Sequence, residues 1–416
     1  MKSIVPLAAL KVAAVLAYGQ PVDVSGGLNA VYSARVGNHP EPNPVSGSFL
    51  AGEEILRLKA EARSESGSGG FMALVENTYD NLSQDNRLDI REAYATLPLG
   101  AFDIRAGKQI ITWGTGDFLF INDFFPKNYA AFYAGLPIDH LKEGLTALRI
   151  SGYSSAANLE IVATPFFQEN IFPGQDRFIL PKDPAGGLAP PLIHPSLRFE
   201  NGEVAIRLYR NILGWDAGLY GYTGHNRQPT LQILPADTGA NLRIAFPQIA
   251  SGGISLTGSL PLAVINLEAG FSHPFADGAW KAPLLPDQEL KFLGGLKAGQ
   301  TGAWSLGVQY YAELNEFNPN TANMRSGNPF VPENIHQILT SSLDLSPGYQ
   351  TLRIYCFAYY DLTYRESLVM PEISYQVTDR ATIALGGRGY YGNGDPRSFG
   401  YYGSNDCVFT RVSYSI

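Results

Sequence analysis

The stretch ILRLKAEARSE, residues 55–65, alternates between apolar and charged side chains with a period of two. Successive side chains of a β-strand point to opposite faces, so this strand has one apolar face and one charged face. The apolar face carries Leu56, Leu58, Ala60 and Ala62, and the charged face carries Arg57, Lys59, Glu61, Arg63 and Glu65. A strand of this kind separates an apolar environment from an aqueous one.

The same alternation recurs along the chain, for example in AVINLEAGFS (263–272), WSLGVQYYAE (304–313) and LRIYCFAY (352–359). Apolar residues at helical spacing are rare, so the pattern predicts an all-β protein. The connections alternate in length: short turns such as 97–102, 153–158 and 210–215 are separated by longer loops. The long loops fall at 114–142, 167–200, 224–248, 273–289, 314–334 and 391–404.

Short turns at one end and long loops at the other are typical of a transmembrane β-barrel. A soluble β-sandwich or propeller also has many strands. The alternating loop lengths, the long strands and an export signal together favour the barrel. We therefore predict a single antiparallel transmembrane β-barrel over residues 20–416 with about 18 strands, or 16 if the weakest pair is dropped. Short turns would face the periplasm and long loops the exterior.

Composition and the N-terminus bound the class of protein. Residues 1–19 combine Lys2, an apolar stretch and small residues before Gln20, which predicts a signal peptide; an ordinary first strand or helix is the alternative. The net charge is −8, and there is no Lys/Arg cluster interleaved with aromatic residues, so we expect no nucleic-acid partner. No metal or cofactor motif is found. Cys356 and Cys407 are expected to be free thiols on opposite faces of non-neighbouring strands.

Several stretches resemble those of Gram-negative outer-membrane porin-like proteins, an uncharacterised family that is distantly similar to the alginate-export type. They include DIREAYATLPLGAFDIRAGKQIITWG (89–114), LRISGYSSAANLEIVATPFF (148–167) and PEISYQVTDRATIALGGRGYYG (371–392). The resemblance implies a passive channel or export conduit in the cell outer membrane of a Gram-negative bacterium, and not an enzyme. The last strand, VFTRVSYSI (408–416), resembles the terminal signal read by the barrel-assembly machinery, although it ends in Ile416 where Phe or Trp is usual.

The charged faces of the strands should line the lumen, because burying a charge in lipid costs about 2–4 kcal/mol at the midplane. The predicted pore-lining residues are Arg57, Lys59, Glu61, Arg63, Arg105, Arg149, Glu160, Arg207, Glu268, Glu313, Arg353, Glu372 and Arg388. Two interpretations remain open. The charges form a salt-bridge lattice that stiffens the wall, or the basic residues form a ladder that guides anions.

The connection 114–142 is unusually rich in aromatic residues for a loop in bulk water. We predict that it folds into the lumen as a constriction; an outward lid is the alternative. The predicted constriction residues are Trp113, Asp117, Phe118, Phe120, Asp123, Phe124 and Phe125. The four phenylalanines would pack on the inner wall. The two aspartates would face the basic ladder or bind Arg105 and Arg149.

Two further expectations concern aromatic residues and strand geometry. Interfacial aromatic girdles are predicted at Tyr32, Tyr94, Trp215, Trp304 and Tyr310, while Tyr220, Tyr222, Tyr311, Tyr355 and Tyr359 are predicted to face the lumen. A β-bulge near Arg91–Ala93 should turn Glu92 inward and Ala93 outward.

The function predicted from these observations is an outer-membrane channel for passive diffusion or export of polar solutes, including anionic or carbohydrate-like ones. Its partners would be outer-membrane lipid and the small polar solute. Two alternatives are kept. The first is a barrel that acts as a sleeve around an electron-transfer or envelope partner, which should have no inward loop. The second is an outer-membrane hydrolase, which would need Ser, His and Asn on adjacent strands.

Overall fold

The computed structural model describes residues 21–37, 47–64, 69–181, 190–236, 239–275, 280–300, 303–319, 322, 331–347 and 351–416. The predicted signal peptide, residues 1–19, lies outside this part of the chain. Eighteen strands form one antiparallel sheet, and the sheet closes on itself because the first strand pairs with both the second and the last. The predicted eighteen-stranded barrel is confirmed, and the sixteen-stranded alternative is wrong.

The barrel strands follow one another around the wall in chain order. They are β1 (Val22–Arg35), β2 (Phe49–Arg63), β3 (Gly70–Asp80), β4 (Asp85–Leu99), β5 (Phe102–Gln109), β6 (Leu145–Gly152), β7 (Asn158–Thr164), β9 (Glu203–Ile212), β10 (Trp215–His225), β13 (Gln248–Ser259), β14 (Ala263–Pro274), β15 (Gln288–Gln300), β16 (Trp304–Glu316), β17 (Ile335–Leu345), β18 (Leu352–Asp361), β19 (Glu366–Thr378), β20 (Ala381–Tyr391) and β21 (Cys407–Ser415). Three short strands, β8 (Leu192–Ile193), β11 (Thr230–Ala236) and β12 (Gly239–Ala245), form a separate sheet in the loops.

The outer face of the barrel is apolar, as the alternation predicts. Side chains such as Leu58, Leu148, Leu219, Ile254, Leu296 and Ile383 remain exposed on the isolated chain. These side chains need an apolar surrounding that water does not provide, and in a closed barrel every strand has a partner on both sides. Both properties suit a lipid bilayer. No helix among the described residues has the length and apolar character of a membrane-spanning helix.

The outward aromatic residues agree with the prediction at Tyr32, Trp304 and Tyr310, which are exposed, and at Trp215, which covers Gly258 on the next strand. The prediction is wrong for Tyr94. Its ring lies in the lumen, where the guanidinium carbon of Arg105 is 4.2 Å from the ring centroid. The cause is the β-bulge described next.

The bulge in β4 lies where it was predicted. Leu74 of β3 is opposite Glu92, whereas the next residue, Val75, is opposite Ile90, so Arg91 is the extra residue. Inserting one residue reverses which side chains face inward. Both Arg91 and Glu92 therefore face the lumen, and Tyr94 follows Glu92 inward.

The long loops begin and end within a few residues of the predicted positions, with the largest difference after β5. The loop there was expected to begin at residue 114, but β5 ends at Gln109. The four residues that follow bend into the lumen instead of continuing the wall. Cys356 and Cys407 are free thiols, as expected.

Candidate functional site

The connection between β5 and β6, residues 110–144, crosses the interior of the barrel; it is called the inward loop below. It contains a short helix, α1 (Tyr129–Ala134), and a 3₁₀ turn, Ile138–Leu141. Trp113, Phe125 and Phe132 are each less than 5% exposed. The loop contacts strands on opposite sides of the barrel, which is only achieved from inside it.

Trp113 joins the inward loop to the wall formed by β7 and β10. Its indole nitrogen donates a hydrogen bond to the buried Glu160 carboxylate at 2.6 Å. Its ring packs edge-on against Phe125, with centroids 5.0 Å apart, and lies 6.0 Å from Tyr220. Phe124 stacks on Tyr222 at 5.0 Å with the rings nearly parallel. The aromatic residues that made this loop unusual therefore fill one side of the lumen.

Phe118 performs the same role on the opposite wall. Its ring is 4.9 Å from Phe357 on β18 and 5.5 Å from Phe132 of α1. The Tyr359 hydroxyl donates to the Phe118 carbonyl oxygen at 3.0 Å. Phe120 is also partly buried, and the Lys127 ammonium lies 4.7 Å from its ring centroid. The loop is thus packed between two walls.

Glu268 on β14 is the main polar contact of the inward loop. Its buried carboxylate accepts hydrogen bonds from the backbone N–H groups of Thr115, Gly116 (3.0 Å) and Asn122 (3.4 Å), and from the Asn122 side-chain amide (3.1 Å). Four donors thus converge on one carboxylate. Glu268 was predicted to line the pore. In the structure its side chain faces the lumen but is covered by the inward loop.

Two glycines permit this close approach. Gly114 has φ +82, a left-handed conformation that suits glycine, and a Cβ there would lie 3.1 Å from the Glu268 carboxylate. On the wall, a Cβ at Gly253 would lie 1.9 Å from the side-chain oxygen of Asn122. The Asn122 amide also donates to the Ile254 carbonyl at 3.2 Å. At both points a glycine on one side leaves room for a side chain from the other side.

The two loop aspartates were expected to face the basic ladder or to bind Arg105 and Arg149. Among the described residues, neither aspartate forms an ion pair with these two arginines. Asp123 lies 3.1 Å from Lys127 and 3.6 Å from Lys142, both in the same loop. Burial lowers the pKa of Lys127 to about 8, although Asp123 opposes this shift. Asp117 is held through its backbone, whose N–H and carbonyl both bond the Gln309 side chain, at 2.8 and 3.1 Å.

The final part of the inward loop is bound to β2–β4 by a cluster of charges. The His140 ring contacts the Glu76 carboxylate at 3.0 Å and the Asp139 carboxylate at 3.3 Å. Arg57 donates to Glu76 at 2.7 Å and to Asp139 at 2.5 Å. Burial alone would lower the pKa of His140, but the hydrogen bonds and charges of Asp139 and Glu76 outweigh it and raise the pKa to about 9. His140 is therefore a cation at neutral pH.

Most of the predicted lining charges face inward but have partners there. The cross-strand or same-strand pairs are Lys59–Glu61 (2.9 Å), Arg149–Glu160, Glu313–His336 (3.4 Å), Arg353–Asp344 (2.6 Å) and Glu372–Arg411 (2.6 Å). Arg388 is covered by the loop and donates to the Phe132 carbonyl at 3.2 Å. These contacts favour the salt-bridge lattice over a continuous basic ladder.

Three predicted lining arginines have no ion-pair partner among the residues that the structure describes. They are Arg63, Arg105 and Arg207, and two of them lie against tyrosine rings: Arg105 on Tyr94 and Arg207 on Tyr209, at 4.2 and 4.4 Å. Arg63 of β2 lies opposite Gly70 of β3, Gly70 lies opposite Thr96 of β4, and Thr96 lies opposite Arg105 of β5. The two arginines therefore lie on one row across four neighbouring strands. A cavity of about 280 Å³ at the short-turn end is lined by Arg63, Arg105 and Tyr94.

Other residues of the site had no sequence signal. Arg227, in the loop after β10, bonds the buried Glu203 carboxylate at 2.7 Å and the Phe124 carbonyl of the inward loop at 2.7 Å. A loop residue carries no alternation pattern, so its direction is not readable from the chain. Arg227 and Phe124 border a cavity of about 1130 Å³ above the inward loop.

The architecture defines the class: a closed antiparallel barrel with an apolar exterior, a polar interior and an inward loop is a porin-like outer-membrane β-barrel. Residues 16–274 match the model of a family described as "Protein of unknown function (DUF1302)". The match covers more than half of the 416 residues, and the chain belongs to this family. No curated protein matches the chain.

The chain is similar to several solved structures that share this fold. The chain is similar to Pseudomonas aeruginosa OccK5 (OpdH), with 11% identity, a TM-score of 0.56 and coverage of 95% of this chain and 97% of the other. For Pseudomonas aeruginosa OpdQ the values are 11%, 0.57, 95% and 97%, and for Acinetobacter baumannii OccAB3 they are 10%, 0.56, 95% and 99%. At such identities the likeness shows the fold alone.

Proposed function

We propose that this protein is an outer-membrane channel through which polar solutes diffuse passively or are exported, with the inward loop as its constriction. The observation that supports this most directly is the inward loop packed inside a closed barrel. A closed wall is what a bilayer requires of a β-structure, and a polar interior narrowed by a loop can select solutes by size and charge. The lipid-facing outer wall makes outer-membrane lipid its surrounding partner, and the C-terminal strand is the proposed contact for the barrel-assembly machinery.

The solute is proposed to be polar, and anionic and carbohydrate-like solutes are the two classes considered. Arg63, Arg105 and Arg207 support an anion, because a guanidinium that is not already paired with a carboxylate is available for another. The aromatic rings and paired charges that line the cavity of about 1130 Å³ above the inward loop support a carbohydrate.

The inward loop and two lumen histidines bear on the two alternative functions. A sleeve around a partner needs an open lumen, whereas here the interior holds the inward loop. A serine hydrolase needs a histidine that accepts a proton from serine. His140 and His336 each contact carboxylates with both ring nitrogens, and so neither is positioned for that role.

Planar-bilayer recording tests the proposal. The purified protein should insert and give discrete single-channel currents in KCl. Removing residues 116–133, which form the centre of the constriction, should increase the conductance of each channel. A barrel that inserts but carries no current with or without these residues would contradict the channel function and leave the fold unchanged.

A further inference from the structure

The cavity of about 1130 Å³ above the inward loop has a lining unlike that of the rest of the lumen; it is called the upper vestibule below. Phe120, Phe124 and Tyr129 of the inward loop form part of its floor. Glu289, Lys291, Glu313 and His336, on β15–β17, form part of one wall. Its volume would hold a small oligomeric solute and lies slightly above the usual range for ligand pockets, about 300–1,000 Å³.

Every lysine and arginine that lines the upper vestibule among the described residues already contacts a carboxylate. The pairs are Lys127–Asp123 (3.1 Å), Arg227–Glu203 (2.7 Å), Lys291–Glu289 (2.6 Å) and Arg397–Asp395 (2.8 Å). His336 lies 2.9 Å from Asp361 and 3.4 Å from Glu313. Within the described part of the chain, the vestibule therefore has no surplus positive charge, in contrast to the short-turn end of the lumen, where the same part of the chain offers Arg63 and Arg105 no ion-pair partner.

This arrangement disfavours an anion as the ligand of the upper vestibule. A carboxylate that approaches Lys291 or Lys127 also approaches the carboxylate already bound there, and the like charges repel. A hydroxyl group behaves differently, because it both donates and accepts a hydrogen bond. One hydroxyl can donate to the Glu289 oxygen while it accepts from the Lys291 ammonium. A lining of adjacent cation–carboxylate pairs therefore matches a solute with many hydroxyl groups.

Aromatic rings of the floor provide the second half of the site. Phe124 is supported from one side by the nearly parallel ring of Tyr222, and Tyr129 is supported by Phe172, with centroids 5.4 Å apart. Both residues border the vestibule, and Phe124 is only partly buried. Flat rings beside hydrogen-bonding groups offer an apolar surface to the C–H groups of a sugar ring.

We propose that the upper vestibule is a binding site for neutral, polyhydroxylated solutes of the carbohydrate class. The proposal rests on the channel function proposed above and specifies the class of solute. The vestibule selects a solute by its hydroxyl groups and by the apolar faces of its rings. Arg63 and Arg105, at the short-turn end, lie beyond the inward loop. An anion would be recognised there and not in the vestibule.

Isothermal titration calorimetry on the full barrel, refolded in detergent without lipopolysaccharide, tests the site directly. The probes are three neutral trisaccharides (maltotriose, cellotriose and mannotriose) and one dianion, succinate. At least one trisaccharide should bind, and succinate binding should be weakened by Arg105→Gln and not by changes in the vestibule. Binding of none of the three trisaccharides would overturn the proposal, and so would succinate binding that is lost on replacing Glu289 and Lys291 and kept in Arg105→Gln.

Variants locate the binding in the upper vestibule. Replacing the pair together, Glu289→Ala with Lys291→Ala, avoids leaving one buried charge alone and should weaken trisaccharide binding about tenfold, which corresponds to about 1.4 kcal/mol. Phe124→Leu retains an apolar side chain but loses the ring face, and should weaken binding severalfold. Arg105→Gln, at the other end of the lumen, is the matched control and should leave trisaccharide binding unchanged. Equal binding by all three variants would refute the assigned location.

Binding and conductance separate the two proposals. A barrel that conducts but binds no trisaccharide retains the channel function and loses the carbohydrate site. A barrel that binds a trisaccharide but never conducts retains the site and loses the channel. All variants are first checked for the mobility shift between heated and unheated samples that a folded barrel shows on a denaturing gel.

Discussion

Replacing Glu268 with alanine should release the first part of the inward loop. The carboxylate accepts four hydrogen bonds from the loop, three of them from the backbone N–H groups of Thr115, Gly116 and Asn122. Glu268 is therefore the acceptor for these donors in the native protein. Without Glu268, they lose their acceptor at a buried site, and the docked conformation loses its main polar contact.

The expected cost is large because the interaction is both charged and buried. Hydrogen bonds to charged groups contribute about 1.5–3 kcal/mol each, and these contributions do not add fully. Each buried N–H group left without an acceptor costs about 1–3 kcal/mol. Taking about 3 kcal/mol for the whole group of donors, the ratio of released to docked loop should rise about 150-fold, since 1.4 kcal/mol is tenfold. Glu268→Gln retains one acceptor oxygen and should have a smaller effect in the same direction.

Single-channel recording measures this effect as open probability and conductance. Glu268→Ala should give longer or larger openings than the wild-type protein, with the native strand content retained by circular dichroism. Glu61→Gln is the matched control, because this lumen carboxylate pairs with Lys59 at 2.9 Å and, among the described residues, makes no hydrogen bond to the inward loop. Wild-type currents from a folded Glu268→Ala barrel would show that the aromatic contacts alone hold the loop, and would refute the anchoring role.

Three further predictions use the same contacts. Trp113→Phe keeps the ring but leaves the buried Glu160 carboxylate without its indole donor at 2.6 Å, and should lower thermal stability by about 1–3 kcal/mol, measured by scanning fluorimetry in detergent; an unchanged midpoint would contradict it. Because the pKa of His140 is raised from 6.5 to about 9, its contribution to stability is complete below pH 6.5 and is lost as pH rises through 9. The melting temperature should therefore fall between pH 7 and 9.5 in the wild-type protein and less in His140→Gln; equal slopes would exclude this group. Because burial lowers the pKa of Lys127 to about 8, cation-over-anion selectivity from reversal potentials should increase between pH 7 and 9 in the wild-type channel but not in Lys127→Gln.

The wall of the barrel was largely predictable because its rule is local. Alternation with period two assigns each strand residue to a face, and the cost of a charge in lipid decides which face is outside. The strand count, the free thiols and the bulge at Arg91 all followed from this rule. The prediction for Tyr94 was wrong because the bulge reverses the inward and outward faces of β4. This reversal was applied to Glu92 and Ala93 but not to Tyr94.

The partners inside the barrel were not predictable in the same way. Asp123 was expected to face the basic ladder or to bind a wall arginine, but it pairs at 3.1 Å with Lys127, four positions along the same loop. Glu268 was recognised as an inward residue but not as the acceptor for Thr115, which is 153 positions away in the chain. Arg227 has no pattern at all to mark it. Such contacts depend on the path of the loop, which no local periodicity encodes.

Side-chain polarity at a spacing of two predicts a barrel of about eighteen strands and its outer face, and the composition of the chain after β5 predicts an aromatic loop. A lipid environment enforces the alternation at each strand independently. The closed sheet was needed to show which carboxylates hold the inward loop and which lining arginines have no ion-pair partner among the described residues. Those outcomes depend on distances between residues that lie far apart in the chain and become neighbours only when the sheet closes.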